Sequence, residues 1–117
     1  MNVSEFTLDD IRGAIALATD DEALRADKVD RSVLLDEIEL WIKLRIEAAP
    51  QSVRSNWFRE ALAMLALARL EYEAGRAVHA DEKMRRVEKQ LNEGNRASRR
   101  DVSFLVASDG VVRPVEK

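Results

Sequence analysis

The chain holds no cysteine. Disulfides, thiolate nucleophiles and cysteine-ligated zinc are excluded, and a reducing compartment suits it. Two prolines and four glycines in 117 residues leave little room for long loops. No apolar run approaches the ~18 residues of a membrane span. The opening MNVSEFTLDD has neither the basic start nor the apolar stretch of a secretory signal. The expectation is a cytoplasmic protein with no membrane partner. There is one histidine, His79, read as lying in a turn without companions for a metal site or a triad. Phosphate-cradling glycine loops, calcium loops and nucleophile elbows are all missing. Asp9-Asp10 and Asp20-Asp21-Glu22 resemble paired carboxylates, but they stand at helix starts, where acids complement the dipole. Nothing beside them would split their pKa values. No catalytic residue, no metal site and no cofactor is expected, and the chain reads as something other than an enzyme.

What is present is helix-forming. Alanine, leucine, glutamate and arginine dominate, with 46% apolar and 35% charged residues. The length suits one domain that buries roughly two-thirds of its unfolded surface. The net charge of −3 is unevenly spread: residues 1–48 carry 12 acids and 6 bases, residues 76–100 carry 4 acids and 8 bases. An acidic front and a basic rear can pair within the molecule, between copies, or with a charged partner.

Thr7 followed by LDDIRGAIALA predicts a helix over 8–18, with Thr7 and Asp10 forming a capping box. TDDEALRADKVD reads as a short acid-started helix and a polar turn. SVLLDEIELWIKLRIEA, residues 32–48, predicts a helix capped by Asp30 or Ser32 and ended by Pro50. Its apolar residues make two faces. Leu34, Leu35, Ile38, Trp41, Ile42 and Ile46 share one arc, while Val33, Leu40 and Leu44 lie on another and need separate cover. Arg45 falls in the main arc, where its stem can lie along the core while its head reaches water or the last carbonyls. VRSNWFREALAMLALARLEYEA, ended by Gly75, is apolar nearly all round, so it is central or shared between protomers. Trp57, Ala61, Met64 and Ala68 lie to one side, with Ala63, Leu67, Leu70 and Ala74 to the other. A fifth helix is expected over 80–92, with Asp81 and Glu82 at its start, Met84, Val87 and Leu91 as its stripe, and Gly94-Asn95 as its stop. Residues 96–100 then read as a basic connector.

The tail VSFLVASDGVVRPVEK is β-prone around Asp109-Gly110, a short hairpin signal. Its apolar side chains, Phe104 and Val106 among them, are too many for a free tail. It is expected to dock outside its own protomer. The basic run Lys83, Arg85, Arg86, Lys89, Arg96, Arg99 and Arg100 is a second candidate contact surface. Its plain alternative is a solvated face laced with ion pairs, Arg85 lying near Glu82 and Glu88. No aromatic interleaving or base-reading motif accompanies the run.

Leu67, Ala68, Tyr72, Gly75, Ala80, Met84 and Val87 follow the spacing of a tetratricopeptide repeat. Residues 64–91 therefore resemble one helical hairpin of that family, in which Ala68 and Ala80 mark the closest approach. No second copy stands at the family's period. EAGRAVHADEKMRRV also resembles the toxin-binding tail of addiction-module antitoxins, through Gly75, Arg76, Val78, Asp81, Glu82 and Met84. Both resemblances imply a hairpin whose second helix contacts another helix or another protein.

The expected fold is all-α, a small bundle of about five helices. A long central antiparallel pair (32–48, 53–74) lies in a helical body over 1–100, and 101–117 form a short β-hairpin or extended tail. The expected function is a non-enzymatic, self-associating protein–protein interaction module that docks on or regulates a larger partner, antitoxin-like or phage-adaptor-like. Its expected partner-binding residues are Val33, Leu40, Leu44, Lys83, Arg85, Arg86, Arg99, Arg100, Phe104 and Val106. The rival is a nucleic-acid-associated regulator using residues 83–100.

Overall fold

A computed structural model of the chain describes residues 3–106. A 3-10 turn (Val3–Glu5) leads into five α-helices: α1 (Leu8–Ala18), α2 (Asp21–Asp27), α3 (Arg31–Ala48), α4 (Val53–Glu73) and α5 (Ala77–Val106). Among the described residues there is no strand. The Asp109-Gly110 turn and second arm of the expected hairpin lie outside the described residues.

Local chemistry sets most helix ends. The Asp10 amide donates to the Thr7 hydroxyl at 3.2 Å, and the Thr7 amide donates to the Asp10 carboxylate at 2.8 Å. Asp20 and Asp30 accept from the amides of Ala23 and Ser32 to start α2 and α3. Ser52 stands at the N-cap of α4 but makes no side-chain cap bond. Ser55, fully buried, donates instead to the Ala49 carbonyl. Gly75 (φ +79°) ends α4 in a Schellman turn, with Gly75 N–H on Tyr72 O (3.1 Å) and Arg76 N–H on Glu71 O (2.8 Å).

The fifth helix differs from expectation at both ends. It begins at Ala77, so His79 lies exposed in its first turn rather than in a loop. Asp81 is not at the helix start; its carboxylate accepts a hydrogen bond from the Tyr72 hydroxyl. The helix then passes through Gly94-Asn95, so the stretch read as a connector is helical. The reason is packing. A Cβ on Gly94 would stand 2.5 Å from Phe58 Cε1 and 2.8 Å from Cδ1. The glycine gives a neighbouring ring room and does not stop the helix.

That contact sits at one end of a long antiparallel seam. Phe58, Ala61, Leu65, Ala68 and Tyr72 of α4 face Ala80, Met84, Val87, Leu91 and Gly94 of α5. Both sets recur at alternating three- and four-residue steps, the spacing by which side chains of paired helices interleave. All are buried except Tyr72, which is partly so. Each large one contributes about 1.5–3 kcal/mol by leaving water. The expected α3–α4 pair is present and antiparallel, with Trp41 edge-on to Phe58 (centroids 6.1 Å apart) and Arg69 on Asp36 (3.0 Å). The more extensive helix pairing is α4 with α5. A 30-residue helix is ~45 Å long, which accounts for the elongated 55 × 28 × 24 Å outline.

Polar junctions lock the smaller helices on. Arg31 donates from Nε to the Ala18 carbonyl (2.7 Å), pairs with Asp21, and lies 4.1 Å over the Tyr72 ring. One side chain thereby joins the ends of α1, α2 and α4. Arg12 of α1 donates to Asn92 of α5, from Nε at 3.1 Å. The Phe6 carbonyl accepts from Trp41 Nε1 (2.9 Å) and Arg45 Nη2 (3.2 Å), which ties the N-terminal turn to α3. Arg45 thus reaches a carbonyl, as its snorkelling stem suggested. That carbonyl belongs to another segment, and the guanidinium also lies 4.8 Å over the Trp41 ring.

Gly94→Ala separates propensity from packing. Propensity alone would add about 1 kcal/mol. The added methyl must instead push Phe58 off its edge contact with Trp41, so urea unfolding should show a net loss of about 1–2 kcal/mol. Pairing it with Phe58→Leu should recover part of that loss. A more stable Gly94→Ala protein would show that the ring yields freely.

Tyr72 gives a second test, because it is the only tyrosine. Burial, and then the bond to Asp81, push its phenol well above the ordinary 10. The fold therefore prefers the neutral form. The stability that this contributes is complete below pH 10 and lost as pH rises above it. Phenolate absorbance should appear well above pH 10, together with unfolding. A midpoint near 10 with helicity intact would contradict the junction.

Candidate interaction surfaces

After the core is filled, α3 and α4 each keep a stripe of apolar residues in water, and α5 exposes Val78. On α3, Val33 and Leu40 are 51% and 46% exposed, while Leu44 is partly covered. On α4, Leu67 and Leu70 are 44% and 59% exposed, with Ala63, Ala66 and Ala74 exposed beside them. These α4 residues recur at the same three- and four-residue steps as the inner seam, on the opposite side of the helix. A shallow groove of about 300 Å³ between α3 and α4 is lined by Glu39, Leu62, Ala66, Arg69 and Leu70. A second hollow, of about 220 Å³, shares Glu39 and adds Asp36, Leu40 and Lys43. The two apolar stripes are thus neighbours across a strip of charge. In that strip Lys43 (2.7 Å) and Arg69 (3.3 Å) bind Glu39. The Lys43 ammonium foremost, and Arg69 with it, hold its carboxyl below the usual carboxylate range.

The basic segment divides. Lys83 turns back to Glu71 of α4 (3.4 Å), which also binds Arg76, so Lys83 belongs to the α4–α5 corner. Arg76 chiefly, and then Lys83, hold the Glu71 carboxyl below its ordinary range. Arg96 pairs with Glu93 at 2.9 Å. Arg85, Arg86 and Lys89 are exposed and, among the described residues, form no ion pair. The pairs expected of Arg85 with Glu82 and Glu88 are not formed. Arg85, Lys89 and Arg96 line one open groove of about 440 Å³ with Glu88, Asn92 and Glu93. Arg99, Arg100, Phe104 and Val106 fall on the last turns of α5. Among the described residues, no ion pair joins residues 1–48 to residues 76–100. Arg12 meets α5 through the neutral Asn92, so this contact between the two parts is a hydrogen bond and not an ion pair.

A third hollow, of about 280 Å³, lies beneath the N-terminal turn. Thr7, Leu8, Trp41, Arg45, Phe58, Leu91 and Asn95 line it. Its Arg45 head is already committed to Trp41 and the Phe6 carbonyl. Among the described residues, no group of histidine, aspartate or glutamate is placed to hold a metal ion. No described helix is long and apolar enough to cross a membrane.

Sequence reasoning found the α3 stripe and the basic run. It noticed that α4 is apolar all round but did not place Leu67 and Leu70 among the contact residues. The available signal was the second periodic stripe, 63, 67, 70 and 74, running beside 58, 61, 65, 68 and 72. Comparison with protein-family models, with curated proteins and with solved structures finds no match to this chain.

The divided basic segment makes a testable contrast. Replacing Arg85 by Ser should leave the melting temperature within about 3 °C, since a surface change of this kind stays within about ±0.5 kcal/mol. Lys83→Ser should lower it measurably, because Glu71 loses a partner at the α4–α5 corner. Equal losses in the two proteins would show that Arg85 also supports the fold.

Proposed function

We propose that this chain is a non-enzymatic protein–protein interaction module that self-associates and docks on a larger partner, in the manner of an antitoxin or a phage adaptor. The observation that carries this reading is the pair of exposed apolar stripes on adjoining helices, Val33 and Leu40 on α3 and Leu67 and Leu70 on α4. Single exposed leucines are ordinary on any surface. Neighbouring apolar stripes set among charges have the composition of an association surface. The separated charges support the same reading, since a negative front and a positive rear attract a second copy or a charged partner.

One observation favours a second reading. Arg85, Arg86 and Lys89 stand free on one helix, as phosphate-binding side chains do. On that reading the module is a nucleic-acid-associated regulator.

Light scattering across concentration tests the first reading. The natural chain should have the mass of a dimer or larger at tens of micromolar, and Leu40→Glu with Leu67→Glu should give a folded monomer with unchanged helicity. A natural chain that remains monomeric at about 100 µM ends the self-association reading. Steeply salt-dependent binding to duplex DNA, abolished by the triple Ser replacement of Arg85, Arg86 and Lys89, would select the second reading instead.

A further inference from the structure

We propose that the outer face of α4 pairs antiparallel with the same face of a second copy, a pairing that rests on the self-association proposed above and gives it an interface and a direction. α4 carries two apolar stripes with one periodicity. The inner one is spent on α5. The outer one, Ala63, Leu67, Leu70 and Ala74, is exposed along its whole length. Its alanines let a second helix approach closely, and its leucines fill the space beside them, as the alternation of small and large residues does on the inner side.

Charge sets the occupant and the direction. Arg59 stands at one end of the stripe and Glu73 at the other, both exposed. They are close to four helical turns apart, hence on one side of the helix, separated by ~21 Å. Glu73 has no ion-pair partner among the described residues, and Arg59 uses one donor on the Pro50 carbonyl at 3.1 Å. In an antiparallel pair Arg59 meets the partner's Glu73 and Glu73 meets the partner's Arg59, so both ends close with opposite charges. A parallel pair would set like charge against like at both ends and align the two helix dipoles. These two end charges are therefore complementary in the antiparallel direction only, as a twofold interface requires. In the same register Leu67 packs on the partner's Ala63. Ala66, midway between Arg59 and Glu73, meets its own counterpart beside the twofold axis. The groove lined by Leu62, Ala66 and Leu70 lies along this seam, and Leu40 of α3 flanks it.

The absence of cysteine makes the test direct, since a single introduced cysteine is the only thiol. With a short bis-maleimide, Ala66→Cys should give covalent dimer in high yield at concentrations where the natural chain dimerises, and Arg86→Cys on the far side of α5 should not. Arg59→Glu should raise the dimer Kd at least about fivefold, two pairs each turning from attraction to repulsion. Adding Glu73→Arg should restore it to within about twofold. If the natural chain is dimeric but Ala66→Cys does not cross-link, or the double reversal fails to restore binding, the α4 pairing is overturned while self-association stands. A natural chain that is monomeric at about 100 µM removes both and leaves the face to a different protein.

Discussion

Phe58 lies closer to Gly94 than any other residue at that position would allow, and the α4–α5 seam closes around that contact. The ring also stands edge-on to Trp41 of α3, so one side chain joins three helices at the same end of the bundle. At the other end the seam finishes in polar contacts: Tyr72 donates to Asp81, and Arg31 covers the Tyr72 ring. Between the two ends the alanines of α4 and the larger residues of α5 interleave. A helix with glycine in its interior loses about 1 kcal/mol of propensity. That cost is tolerated here because the alternative is a ring with nowhere to sit.

The smaller helices join the seam through buried apolar residues, Ile11, Ile15 and Ala18 of α1 and Leu24 of α2, and through arginine. Arg31, Arg12 and Arg45 each reach across to another element and give hydrogen bonds to a carbonyl or an amide oxygen. Two of them also lie on aromatic rings. A planar fork with five donors lets one side chain stack on a ring and give several directed hydrogen bonds. These contacts add to a single apolar core that α1 and α2 share with α3, α4 and α5. They use up cations of the acidic front, while Arg85, Arg86 and Lys89 of the rear form no ion pair among the described residues.

The functional reading rests on what the fold leaves over. α4 packs against both α3 and α5. Its outer side has no cover from the rest of the described chain, yet it repeats the pattern of its inner side. α3 contributes a second stripe alongside it. The proposed pairing would cover these leftovers, with the charges at the ends of α4 setting its direction.

The sequence by itself determined the helices and most of their ends, because caps are local. Thr7 with Asp10, Asp20, Asp30 and Gly75 act within a few residues of where they stand, so their chemistry can be read from neighbours alone. It also determined the two faces of α3, which follow from periodicity. Tertiary structure decided what depends on a distant residue. Gly94 reads as a stop until Phe58 is placed on it, and only then does α5 extend through the basic stretch. Asp81 reads as a helix-start acid until Tyr72 is found nine residues back across the turn. Arg45 reads as a snorkelling side chain until the Phe6 carbonyl arrives from the N-terminus. The two stripes of α4 are equally apolar in one dimension. Only the packing of α5 settles which one is core and which one is surface.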